Sequence, residues 1–342
     1  MFRGQVSTFF CVYFLWNPLF NSDYLWDIVM KFGVYIRGAQ TYEKMLELTR
    51  VAEALGYFGV FINDHVEGLS GDRKEPYWES WTVLSGLGVQ TRKIRLGHIT
   101  LFNSLRNPAY LAKSAATLDR MTNGRYEFIL GAGWNEPEYL AYDLMERGRG
   151  IPPAGERVSR LKESVEIIKG MTKNEVFSYD GKYWKLKEAV NVPQPVQDPF
   201  PVSVGARQPR MIRIAAKYAD GINASGNLQN INRILGHYHK SLAELGKSVD
   251  DVFISGFAPS VYLVKNNAEY EDILENWKMR GVDIKAASEF DFIGTPEVLI
   301  EKWRKAMDLG MHMSVIMVRP SKTLVENAEM LGRFKDEVAS QL

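Results

Sequence analysis

Apolar positions along the chain fall into short runs that alternate with longer stretches of helical period. "FGVYI" (32–36) precedes an amphipathic stretch over 42–55, "GVFIND" (59–64) precedes 79–91, "IRLGHIT" (94–100) precedes 109–121, and "YEFILGAG" (126–133) precedes 157–171. The second half repeats the alternation. "FPVSVGA" (200–206) leads into 209–218, "DGINAS" (220–225) into 228–245, and "VFISGFAPSVYLV" (252–264) into 269–280. A helix over 296–309 then precedes "HMSVIMV" (312–318) and a terminal helix from Thr323. Short apolar runs between polar amphipathic stretches predict a parallel sheet covered by helices, an α/β protein. Eight such units in roughly 310 residues predict a closed (β/α)8 TIM barrel rather than an open sheet. Two insertions stand out: the Gly/Pro-rich "MERGRGIPPAGE" (145–156) after strand 4, and "VFSYDGKYWKL" (176–186) in the strand 4–5 connection. Asp180-Gly181 between two aromatic runs predicts a hairpin there.

The first 29 residues do not share this pattern. Gly4 to Ser22 carries no charge, and "STFFCVYFLW" is a short apolar core behind Arg3. A signal peptide has that shape, yet no small-x-small cleavage site follows, and Asn17-Pro18 interrupts a run too short to span a bilayer. A dispensable extension, a signal or anchor, and an ordered extra segment all remain as readings. The expectation taken forward is an N-terminal extension (1–29) outside a single barrel domain (30–342).

Composition narrows the partners. With 42 basic against 41 acidic residues, nothing recommends nucleic acid or an anionic membrane. A single cysteine, Cys11, fits a reducing, cytoplasmic setting. The five histidines make no zinc-type spacing, so no metal is expected. His237 and His239 lie two apart on a helical pattern and read as a surface pair.

In a barrel of this class, chemistry sits where strands end. Those positions are Asp64-His65, Asn103, Trp134-Asn135-Glu136, Gly205-Ala206-Arg207 and Asn223 with Ser225-Gly226. "LGAGWNE" is not a dinucleotide fingerprint, because Glu136 stands where the third glycine of Gly-x-Gly-x-x-Gly would be. Gly131 and Gly133 instead suit the approach of a flat ligand. Glu136 either reaches inward or opens a surface helix at its favourable end. His65 is of a residue type that can exchange a proton with a bound ring, or it packs beside a loop capped by Asp64. Gly97, inside a strand pattern, marks a bulge, a close backbone approach, or crowding among side chains. In "PVSVGARQPRM" a strand runs into Gly205-Ala206-Arg207, with Pro209 placed to start a helix. Free N–H groups plus a guanidinium there predict an anion site suited to phosphate, the alternative being an ordinary βα loop with a chance arginine.

The segments "EALGYFGVFINDH", "TRKIRLGHIT", "RNPAYLAKSAATLDRMTNGRYEFILGAGWNEPEYLAY", "ERVSRLKESVEIIKGM", "PVSVGA" and "AAKYADGIN" together resemble the bacterial luciferase-like superfamily, over about Met30 to Pro320. Within it the chain looks closest to the F420-dependent oxidoreductase branch. The resemblance implies a flavin or deazaflavin lying across the barrel mouth, with His65, Glu136 and Asp64 in catalytic roles. It further implies a cofactor pocket of Asp64, Ile99, Thr100, Asn103, Gly133, Trp134, Gly205, Ala206, Arg207 and Asn223. A non-prolyl cis peptide is implied near Ile99–Thr100. The phosphate loop departs from the family pattern, since Ala206 replaces one of two adjacent glycines. The expected activity is F420-dependent hydride transfer to or from a small organic substrate. The alternatives are an FMN-dependent monooxygenase using O2 and reduced flavin, a non-catalytic flavin-binding protein, and a barrel hydrolase or isomerase without a redox cofactor. The loops at 66–77 and 145–156 and the hairpin at 176–186 are expected to shape the substrate pocket. The resemblance also implies a homodimer formed through barrel helices.

Overall fold

The computed structural model describes residues 29–69, 71–319 and 323–342; the expected extension lies outside the described residues, Val29 apart. Eight parallel strands close into a barrel: β1 (Lys31–Tyr35), β2 (Gly59–Ile62), β3 (Arg95–His98), β4 (Tyr126–Gly131), β5 (Val202–Gly205), β6 (Gly221–Ser225), β7 (Phe253–Leu263) and β8 (Met313–Arg319). β1 pairs with both β2 and β8, and β7 pairs with both β6 and β8, so the expected (β/α)8 closure holds.

The helices begin where capping chemistry places them. Asn107 accepts from the Ala109 and Tyr110 amides ahead of Pro108–Met121, Glu79 does the same for Ser80–Val89, and Thr323 with Glu326 forms a capping box for Leu324–Glu337. Periodicity did not anticipate the helix Ile284–Phe290 and the short strand Ile293–Gly294, which add to the outer edge of β7. Lys302, buried beneath them, donates to the Ser288 and Asp291 carbonyls, and burial pushes its amine down to about 8.

Phe61, Ile99, Ile129, Met313 and Val315 fill the barrel interior. A Cβ at Gly33 or Gly97 would stand 2.5 Å from the Phe61 ring. Of the readings open for Gly97, crowding among side chains holds, since it makes room for a core ring, while the strand itself is interrupted between His98 and Leu101. At the N-terminal end Arg95 pairs with Glu127 inside the wall and lies 5.6 Å over the Phe58 ring, so that end is plugged. The C-terminal ends of the strands are left to carry the site.

The hairpin forms as predicted, from Val176–Asp180 and Lys185–Val190. Its placement does not match the expectation. Glu163, on the helix Ala154–Lys173, accepts from the amides of Lys182 (2.9 Å), Tyr183 (2.9 Å) and Trp184 (3.2 Å). Tyr179 reaches Glu166, and Phe177 packs over Gly170. These positions form the helix face turned away from the barrel. Glu163 is also about 13 Å along the helix axis from its start at the mouth. The hairpin therefore clads the outer wall, and Tyr183 and Trp184 do not shape the substrate pocket.

Candidate active site

Asp64 ends β2 in full burial, at 1% exposure, and its carboxylate is completely engaged. It accepts from Ser80 Oγ (2.5 Å), from the Phe102 amide (2.9 Å) and from both terminal nitrogens of Arg106 (2.6 and 3.0 Å). Burial works to raise its pKa, but the Arg106 charge and hydrogen bonds outweigh that and hold the carboxyl below its ordinary value. Arg106 continues to Glu79 at 2.5 Å, the residue that caps the next helix. The structure thus corrects a contact role for Asp64. It is a strut that ties the end of β2 to the segment following β3, and Ser80 and Arg106 are its partners. Sequence reasoning missed both because they lie 16 and 42 positions away in the chain.

His65 follows at 8% exposure, and its ring stands edge-on between Phe102 (6.0 Å) and Trp134 (5.6 Å). Its Nδ1 meets Glu138 Oε2 at 2.8 Å, while Glu138 Oε1 accepts from the Val66 amide at 2.7 Å. Burial raises the Glu138 pKa, but the hydrogen bonds and charge of His65 and the Val66 amide prevail and lower it. An ionised carboxylate only accepts, so Nδ1 carries a proton and Nε2, on the opposite edge, is the acceptor of the neutral ring.

Glu138, not Glu136, is therefore the inward carboxylate. Glu136 is exposed at the start of the short helix Glu136–Ala141 and lines an outer groove with Arg73 and Leu140. The available signal was the neighbour: Tyr139 is fully buried, so the core-facing side of "NEPEY" begins at its second glutamate. Six helical residues give too short a period to decide between the two.

The Ile99–Thr100 peptide is cis, as the resemblance implied. Ile99 faces the barrel core. Thr100 fits between two strand ends that lack side chains: a Cβ at Gly131 would overlap its hydroxyl, and one at Gly205 would stand 2.7 Å from its Cγ2. Gly133, at φ +78°, lets the chain pass the Phe102 ring and turn toward Trp134, which is 64% exposed. Asn103 is 3% exposed, and its Oδ1 has no hydrogen-bond partner. A buried acceptor left open beside a wall of glycines fits a planar ligand that brings its own donor. Asn223 is buried and donates to Ser255 Oγ at 2.9 Å.

The turn after β5 is modified from the expectation in one respect. The Ala206 amide donates to the Asn223 carbonyl at 3.1 Å, so it is unavailable to an anion. Arg207 is exposed, and its carbonyl holds the guanidinium of Arg233 at 3.1 and 3.2 Å. The helix Pro209–Tyr218 starts beside them with no side chain capping its first turn. The Arg233 guanidinium thus stands at this turn, beside the uncapped start of that helix and the positive end of its dipole. Arg233 was not anticipated, since it sits on the following helix, Leu228–Glu244.

The family model of luciferase-like monooxygenases matches residues 28–313. The chain belongs to that family. Among curated relatives, an F420-dependent glucose-6-phosphate dehydrogenase from Microbacterium testaceum is 31% identical over 214 residues, covering 61% of this chain and 61% of the relative. The match thus spans about three fifths of that relative's length. Two solved structures share the fold. One is an F420-dependent secondary alcohol dehydrogenase in complex with an F420-acetone adduct, at TM-score 0.76 and 16% identity, with 91% and 98% of the two chains covered. The other is an EDTA monooxygenase from Chelativorans sp. BNC1, at TM-score 0.74 and 14% identity, with 92% and 93% covered. Dehydrogenase and monooxygenase thus occur on one scaffold, and fold alone does not choose between them. Among the described residues no helix is long and apolar enough to cross a membrane.

Proposed function

We propose that this protein is an F420-dependent oxidoreductase acting on a small organic substrate. The observation that carries the reading is the His65–Glu138 pair, a histidine fixed in one tautomer by a buried carboxylate beside an exposed tryptophan. Similarity to an F420-dependent dehydrogenase supports the choice of cofactor. Asn103, the Thr100 turn and Gly133 would hold a planar ring, and Arg207 with Arg233 its phosphate. Bound there, a deazaflavin supplies hydride exchange, which protein side chains cannot.

The chain's own residues handle the rest. With the ring neutral, His65 accepts a proton at Nε2 from a substrate hydroxyl in the oxidising direction. In the reducing direction it returns that proton to the developing alkoxide. Glu138 stabilises the imidazolium that forms and keeps the ring oriented. Trp134 offers an apolar face beside His65, favouring substrates with an apolar body next to the reacting carbon.

Parallel fluorescence titrations with F420 and with FMN test the reading. Selective binding of F420 is expected, followed by substrate-dependent change of the deazaflavin absorbance with alcohols or the matching ketones. Selective binding of FMN, with O2 consumed in the presence of a flavin reductase, would replace it with a monooxygenase.

A further inference from the structure

The cationic side chains near the turn after β5 do not stop at the mouth. Below it, the helices Pro209–Tyr218 and Leu228–Glu244 leave a groove of about 300 Å³ on the outer wall. Arg210 and Arg213 line one side, and His237 and Lys240 line the other. The spacing is that of single helix faces: Arg210 and Arg213 are three apart, while Arg233, His237 and Lys240 continue at i, i+4 and i+7. All of these side chains are exposed. Arg233, through its bonds to the Arg207 carbonyl, joins the groove to the phosphate turn. Among the residues lining the groove one carboxylate, Glu244, faces the cations, and it meets Arg213 at a loose 3.7 Å. Arg210 spends its guanidinium on neutral acceptors, the Gly155 carbonyl and Ser159 Oγ, so its charge is uncompensated. In a chain balanced at 42 basic to 41 acidic residues, this strip is a local excess.

We infer that the groove binds an extended polyanion that is continuous with the phosphate group, namely the oligoglutamate tail of F420. The inference rests on the proposed F420 reading and deepens it. FMN ends at its phosphate, whereas F420 continues through a phosphodiester into a chain of carboxylates. The phosphate itself would be met at the Arg207 turn, beside Arg233. A strip of further cations leading away from that point, down one inter-helix groove, matches a ligand whose negative charge continues past the phosphate. Exposed pairs of this kind each contribute little, so the effect is a graded gain with tail length rather than an on–off requirement.

The test compares F420 bearing several glutamates with the same phosphodiester lacking them, by fluorescence titration. The proteins are the wild type and the Arg213→Gln/Lys240→Gln double variant. Wild type is expected to bind the tailed form about three- to tenfold more tightly at low ionic strength, with the difference lost in high salt. The double variant should lose the difference while binding the tailless form as wild type does, which also shows that it is folded. Glu244→Gln should widen the difference. Equal affinity for both forms in wild type, or a difference that survives the double variant, overturns the groove while leaving the F420 reading intact. Failure of both deazaflavin forms to bind defeats the F420 reading and the groove with it.

Discussion

Replacing Arg106 with methionine keeps much of the side-chain bulk and removes the positive charge facing Asp64. The carboxylate would retain Ser80 and the Phe102 amide, but at 1% exposure it has no route to water. Breaking a buried pair by deleting one partner costs about 3–5 kcal/mol, chiefly the uncompensated charge left behind. For a domain of this size, that corresponds to a fall in Tm of roughly 5–8 °C. The pH dependence carries a sign. In wild type the Asp64 pKa is lowered, so the cluster's stabilisation is present above the unfolded carboxyl pKa and is lost as pH falls through the folded value. In Arg106→Met, burial is opposed by the remaining hydrogen bonds without the Arg106 charge and raises that pKa, so protonation relieves the penalty. The Tm gap between the two proteins should therefore narrow as pH is lowered from neutral towards 5. The double variant Asp64→Asn/Arg106→Met should recover much of the loss. Scanning calorimetry across pH is the assay. A gap that is independent of pH, or a double variant no more stable than the single, would refute the strut assignment.

Glu138→Gln offers His65 an amide in place of a carboxylate, and the ring's preferred tautomer is lost. Turnover with F420 should fall by about 10²–10⁴ while cofactor affinity changes little, as read by kcat and by titration. Because the Glu138 pKa is lowered, its contribution to stability persists well into the acid range, disappearing only as pH falls through that lowered value. Wild type should show this acid-side loss of Tm more strongly than Glu138→Gln. Gly131→Ala would drive a methyl into the Thr100 hydroxyl, and weaker cofactor binding or a fall in Tm is expected; an unchanged affinity together with an unchanged Tm would refute the cradle. Trp134→Ala should raise KM for substrates with apolar bodies more than it lowers kcat, since it removes a contact face and leaves the His65–Glu138 pair standing.

The barrel was legible because alternation of apolar runs and amphipathic stretches is a global property, and eight repeats of it outweigh any local error. The strand ends were legible for the same reason: once the strands are placed, the residues that follow them are candidates. What the sequence concealed was direction. Asp64 and His65 are adjacent, yet one carboxylate is consumed by Arg106 and the neighbouring ring is left to act. Glu136 and Glu138 sit two apart on a single turn and a half of helix, and only the packing of Tyr139 decides which is turned in. The hairpin could be read from Asp180-Gly181, but its place on the outer wall depends on Glu163, a charged residue that periodicity assigns to solvent. Long-range ion pairs and buried carboxylates carry no local signature.

The amide of Val66 is bound by the same carboxylate that holds His65. At the other end of this loop the Tyr77 hydroxyl donates to Asn63 at 2.5 Å, and the Trp78 amide donates to the Gly38 carbonyl. The loop that follows β2 is thus pinned at both feet. Between those feet Arg73 pairs with Glu67 through two nitrogens and Glu75 meets Arg37, so the loop is tied across as well as at its ends. Only the Val66 tie shares the Glu138 carboxylate with His65, so cutting the Arg73–Glu67 pair should alter entry and release rates without retuning the proton-handling ring.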